Sequence, residues 1–217
     1  MIQFKLFEKN NRPLHILCLG AHSDDIEIGC GGAILRLIGD YPGCTFSWVV
    51  FSGIGVRKAE AERGAQSFVG KERLANMMLH DFSDGFMPYV GSEIKGVFEA
   101  LKGRISPDLV FTHQGRDAHQ DHRLISELTW NTFRDHFILE YEIPKYDGDL
   151  GNPNVFVPLE TDIGKKKVGH IVETFQSQRT KRWFEESTFL SLMRLRGMEC
   201  NASSGFAEAF YCRKLVL

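Results

Sequence analysis

The sequence predicts a single α/β domain with a mostly parallel β-sheet and helices on both faces, Rossmann-like in its alternation. Two observations carry this. Short, nearly continuous apolar runs, the pattern of strands covered on both faces, alternate with longer segments of helical spacing. No linker, low-complexity tract or internal repeat divides residues 1–217, a length ample for one sizeable core. With 43% hydrophobic and 25% charged residues the chain is also far from the composition of disorder.

The elements follow in order. Residues 14–19 form an apolar run that stops at Gly20, the first central strand. Residues 29–32, with three glycines, read as a turn leading into a helix over 33–38 that ends near Gly39 and Pro42. Residues 45–51 are rich in β-formers and 57–69 in Ala, Glu, Lys and Arg, a second strand and helix. A helix over 93–102, a buried strand over 108–112 and a helix over 123–133 extend the pattern, which argues for right-handed crossovers. Beyond Asp135 the reading is less regular: 137–141 alternates weakly, 145–158 is rich in Gly, Pro and Asp, 163–176 is helical, and 206–217 reads as an edge strand.

Composition excludes several functions. Lys plus Arg number 26 against 28 Asp plus Glu, a net charge of −2, so no basic field attracts nucleic acid. No run approaches the roughly twenty apolar residues of a membrane span. The first nine residues carry two lysines, but the apolar stretch after them is short and interrupted by His15, against a secretory signal. Five cysteines without a C-x-x-C pair suit reduced thiols in a cytoplasm. A homo-oligomer is left open.

Two constellations carry chemistry. The first, Ala21-His22-Ser23-Asp24-Asp25, directly follows the first strand, where ligands bind in doubly wound sheets. Its bland reading is helix capping by His22 and Asp24. The second, from His113 to His122, follows the 108–112 strand and holds three of the chain's eight histidines with Asp117 and Asp121. Imidazoles and a carboxylate contributed from two loops leave a coordination position open, as in catalytic zinc sites. An ion with an open position supplies water of lowered pKa, and spare carboxylate and imidazole groups can manage protons, so hydrolysis is implied. The competing class, a nucleotide-binding Rossmann-type protein without hydrolase activity, fits less well. Gly29-Cys30-Gly31 supplies G-x-G, but Ile34 stands at the third glycine position and no acidic residue ends the second strand.

His22-Ser23-Asp24-Asp25 with the trailing glycines, and His119-Gln120-Asp121-His122, resemble the two motifs of the PIG-L/LmbE family of zinc-dependent N-deacetylases. The likeness runs from about Leu14 to Trp130, with a weaker echo at Ala207-Glu208-Ala209-Phe210. The resemblance implies His22, Asp25 and His122 as ligands of Zn2+, or of another divalent ion such as Fe2+. It implies Asp24 as general base, His119 as catalytic imidazole and Asp121 as its orienting partner. The implied substrate is a small N-acetylated amino sugar or sugar conjugate. Ser23 replaces the family's usual proline, and Asp117 stands where some members carry a tyrosine, so the oxyanion must be stabilised by another group. Arg57, where members often place an arginine near the substrate, Asp84 in its Asp-Gly turn and Arg116 are the candidate substrate contacts. The cationic segment 178–183 could receive a phosphate or nucleotide portion.

Overall fold

The computed structural model describes residues 12–216. The strands are β1 (His15–His22), β2 (Thr45–Ser52), β3 (Leu74–Leu79), β4 (Leu109–His113), β5 (Phe137–Tyr141), β6 (Val155–Leu159) and β7 (Phe206–Tyr211). The helices are α1 (Asp25–Asp40), α2 (Val56–Val69), α3 (Gly91–Lys102), α4 (Gln120–Thr132), α5 (Thr161–Thr174) and α6 (Glu186–Glu199). The strands form one sheet in the order β3-β2-β1-β4-β5-β7-β6, parallel through β5 and antiparallel where β7 pairs with β5 and β6. Among the described residues no helix is long and apolar enough to cross a membrane, and the five thiols are free.

Alternate side chains of the central strands build two separate cores. Ile16, Cys18, Phe46, Trp48 and Val50 face one side with α1, α2 and α5; Leu17, Leu19, Val49 and Phe51 face the other with α3 and α4. Because both faces are covered, polar alternation disappears, which is why these strands read as continuous apolar runs. The chain leaves β1 to opposite sides of the sheet from β4, so the carboxyl ends of β1 and β4 adjoin at the topological switch point. His22 ends β1 and His113 ends β4.

The structure corrects three expectations. The glycines at 29, 31 and 32 are inside α1, which begins at Asp25, not in a turn before it. Their smallness serves close packing: a Cβ on Gly29 would lie 2.2 Å from Tyr141 Cδ2, on Gly31 2.4 Å from Phe68 Cε1, and on Gly32 2.5 Å from Leu159 Cδ1. β7 is internal, and the edge on that side of the sheet is β6, whose Pro158 suits an edge position. β6 and α6 were not anticipated, and β3 only as an extended segment before Asp84. β3 (LANMML) lacks β-branched residues, and α6 has apolar residues scattered around its circumference.

Beneath α1 lies a buried ion pair. Lys167 Nζ of α5 donates to Glu208 Oε1 of β7 and to the Ile28 carbonyl, both at 2.6 Å. The same carboxylate accepts from Gly32 N (2.8 Å) and Ala33 N (2.7 Å). Where a regular helix closes Gly32 N–H on Ile28 C=O, side chains from two other elements serve both groups.

Candidate active site

The site assembles at the carboxyl ends of β1 and β4. Asp24 is the N-cap of α1, but its side chain makes no capping bond; instead its Oδ1 accepts from Arg57 Nη2 at 2.7 Å. Asp25, one residue on, points elsewhere. Its Oδ2 accepts the His22 backbone N–H at 2.6 Å and lies 3.3 Å from His22 Nδ1, 3.2 Å from His113 Nε2 and 3.6 Å from His122 Nε2. His22 Nδ1 and His122 Nε2 are 3.2 Å apart.

The outer partners decide which ring nitrogens carry protons. His122 Nδ1 stands 2.9 Å from Asp117 Oδ2, so it must be the N–H and the lone pair at Nε2 faces the cluster. His113 Nε2 accepts the Ala21 N–H at 3.0 Å, which places its own proton on the buried, unpartnered Nδ1. The Asp25 carboxylate oxygen and the His122 Nε2 lone pair therefore face each other, 3.6 Å apart, with no hydrogen between them. Of the nearby nitrogens His113 Nε2 is already used, whereas the partners of His22 Nδ1 are Asp25 and His122 themselves, so it can join them when a cation takes the place of its proton.

The electrostatics agree. Burial works against an imidazolium at His22, yet the carboxylates of Asp25, Asp121 and Asp84 outweigh it and raise its pKa well above the usual value. His122 is pushed down to about 4, by burial first and then by His113. Burial would raise Asp25, but His122, His113 and His22 pull it well below the carboxylate range. Burial raises Asp24 against the opposing pull of Arg57. The pocket carries more negative charge than its neutral rings balance, a demand that a proton or a metal cation meets.

His119 caps α4: its Nδ1 accepts from Asp121 N at 3.3 Å, leaving the ring proton at Nε2, 4.0 Å from Asp84 Oδ1. The Asp121 carboxylate, expected to orient His119, accepts from Gly85 N (2.7 Å) and Met87 N (3.1 Å) and meets His22 Nε2 at 3.2 Å. Asp84 Oδ1 is 3.0 Å from the same nitrogen, and this contact lowers its pKa to about 2. Arg57 spans Asp24 and Asp84, the latter at 3.7 Å. Arg116 is exposed, and no hydrogen bond or ion pair ties it to the cluster. From the cationic segment, Lys181 places its charge in the field of Asp24.

Sequence reasoning counted His113 and Asp117 but gave neither a role. Asp117 is held by Lys145 Nζ at 3.0 Å, and Tyr141, paired with His113 in the sheet register, donates to the Leu19 carbonyl at 2.6 Å with its hydroxyl 3.3 Å from His113 Nε2. The available signal was position: His113 is the last residue of a buried strand that enters the switch point.

The family model described as PIG-L, GlcNAc-PI de-N-acetylase, matches residues 17–133, more than half of the chain. The chain belongs to the PIG-L family. This PIG-L member is 28% identical over 148 residues to the uncharacterized deacetylase YaiS of Escherichia coli K12, covering 64% of this chain and 79% of the relative. It is 26% identical over 139 residues to diacetylchitobiose deacetylase of Thermococcus kodakarensis, covering 56% of this chain and 50% of that protein, so it spans half the length of this second relative. The structure of the conserved protein TT1542 from Thermus thermophilus superposes with a TM-score of 0.75 at 20% identity, covering 94% of this chain and 96% of that one, a likeness of fold. The family model and the deacetylase relatives support a hydrolase that removes N-acetyl groups, and the two sequence motifs of the resemblance lie within the matched span.

Proposed function

We propose that this PIG-L member is a divalent-metal-dependent hydrolase, zinc being the preferred ion, that removes the N-acetyl group from an amino sugar or sugar conjugate. One observation carries the metal: the hydrogen-free convergence of Asp25 Oδ2 and His122 Nε2 beside His22 Nδ1, at mutual distances of 3.2–3.6 Å. Ligands about 2.0–2.1 Å from a tetrahedral zinc stand about 3.4 Å apart, so the donor set and its spacing fit. His22, Asp25 and His122 would hold the ion. When bound it supplies Lewis acidity, acidifying water and polarising the amide carbonyl.

The chain's own groups do the rest. Asp24, fixed by Arg57 Nη2 and not among the groups that converge on Asp25 Oδ2, is the carboxylate left to take up the proton of the attacking water. His119, its Nδ1 occupied by a backbone N–H, presents a neutral Nε2–H that can hydrogen-bond the tetrahedral oxygen, while Asp24 delivers the proton taken from the water to the departing amine. Asp117 holds His122 in the tautomer that directs Nε2 inward. Asp84 and Arg57 line the entrance and suit sugar hydroxyls or an anionic attachment; Lys181 adds to the latter, whereas Arg116 is proposed only as an outer contact. The resemblance to diacetylchitobiose deacetylase supports the sugar reading. A cytoplasmic setting accompanies it, from the five free thiols.

Acetate release from free, glycosidic and nucleotide-linked N-acetylhexosamines, measured with zinc-loaded and chelator-treated protein, tests this reading. Zinc-dependent release from at least one class is expected. No release from any of them would sink it.

A further inference from the structure

The loop between β3 and α3 carries two aromatic side chains that the fold does not use. Phe86 is 61% exposed and Tyr89 81%, with ring centroids 6.0 Å apart and planes tilted by 49°. An exposed Phe forgoes the ~1.5–3 kcal/mol that burial of such a side chain returns, so an adjacent exposed pair on a loop bonded to the active-site cluster calls for an occupant.

Their placement is fixed by hydrogen bonds. The residues on either side of Phe86, Gly85 and Met87, both donate backbone N–H groups to the Asp121 carboxylate, which itself touches His22. Gln120 Nε2 donates to the Gly85 carbonyl at 3.0 Å, and the Met87 side chain is fully buried in the second core. The backbone closes through Phe86 N to Ser83 O and Tyr89 N to Phe86 O, with Gly85 in the left-handed region at φ 79°. The exposure of these rings is thus held by a pinned loop, one residue from a group in contact with the reacting centre.

We propose that Phe86 and Tyr89 form a subsite that stacks on a second pyranose ring of the substrate, beyond the ring that bears the acetamido group. The inference rests on the amino-sugar reading above and extends it from a single sugar to an oligosaccharide or glycosyl conjugate. A pyranose has an apolar C–H face and a hydroxyl rim. The aromatic pair offers the matching apolar faces, while the half-exposed Asp84, the exposed Gln120 and the Tyr89 hydroxyl offer polar partners around them. An acyl chain would use only the ring faces and offer nothing to the Tyr89 hydroxyl or to the exposed side of Asp84.

The test compares N-acetylglucosamine, N,N'-diacetylchitobiose and an octyl glycoside of N-acetylglucosamine on wild-type protein and Phe86→Ala/Tyr89→Ala. Both positions are surface-exposed, so the variant should fold, which its circular dichroism melt verifies. The ratio of kcat/KM for the disaccharide over the monosaccharide should fall about tenfold, through KM, and Phe86→Trp should retain it. Disaccharide binding by calorimetry on zinc-free protein should weaken in parallel, a readout that stands even if no acetate is released and the deacetylase reading itself fails. An unchanged ratio with unchanged binding, absence of disaccharide binding to the wild type, or a loss confined to the octyl glycoside would each overturn the proposal.

Discussion

Two adjacent carboxylates are expected to fail in different ways. Asp24→Asn keeps the side-chain shape and an oxygen that can still accept from Arg57 at 2.7 Å, so the loop and the ligand cluster should stand. What it removes is the proton acceptor, and loss of a positioned general base costs about a hundred- to ten-thousandfold in rate. That is about 3–5 kcal/mol of barrier. Asp25→Asn acts on the cluster: Oδ2 is the oxygen shared by the His22 N–H and three imidazole nitrogens, and an amide there removes the negative charge that balances them. Losing an outer partner of a ligand already weakens metal binding about 10–100-fold, so losing Asp25 should cost at least about a hundredfold. The assay is zinc content by elemental analysis after dialysis, beside acetate release from the best substrate of the screen. Asp24→Asn should be fully metallated and nearly inactive; Asp25→Asn should emerge zinc-poor. An Asp24→Asn protein turning over at the wild-type rate would refute the reasoning, and a zinc-free one beside a zinc-loaded Asp25→Asn would exchange the two roles.

Asp117→Asn should weaken zinc binding about 10–100-fold in a chelator competition, because Asn can no longer act as a carboxylate toward His122 Nδ1, and should also lower the melting temperature, because Lys145 loses a buried partner. Lys167→Met strands the buried Glu208 carboxylate on two backbone N–H groups; breaking a buried pair costs about 3–5 kcal/mol. For a chain of this size that lowers the melting temperature by about 6–20 °C, and a shift under about 2 °C in a thermal melt would contradict it. Asp108 has a lowered pKa: burial opposes ionisation, but the Arg12 and His15 N–H hydrogen bonds outweigh it. The stabilisation is therefore complete above the unfolded carboxylate pKa of about 3.9 and lost as pH falls through the folded value. Arg12→Ala should accordingly lower the urea midpoint near neutral pH by an amount that shrinks as the pH falls below about 3.9; a loss of the same size at every pH would exclude this origin.

How much of this was legible depends on what each residue type can signal. The central strands were readable because burial on both faces removes polar alternation, and their carboxyl ends located the motifs. Residues 29–32 were misread because a glycine cluster marks a turn and a close approach of other elements equally well; only the contacts with Tyr141, Phe68 and Leu159 decide. The same limit applies inside the site. A sequence shows which side chains can bind a proton or an ion, whereas the number of free lone pairs depends on partners remote in the chain. Asp117 stood where a tyrosine was sought, and its part emerged only from the ring nitrogen it engages. His113 is a histidine among histidines until the Ala21 N–H, 92 residues away, is seen to occupy its Nε2. One of those hydrogen bonds turns the His122 Nε2 lone pair toward the Asp25 carboxylate, and the other takes His113 Nε2 out of the set that could hold an ion. The chemical case for a cation therefore rests on second partners of the rings more than on the motif that first drew attention to them.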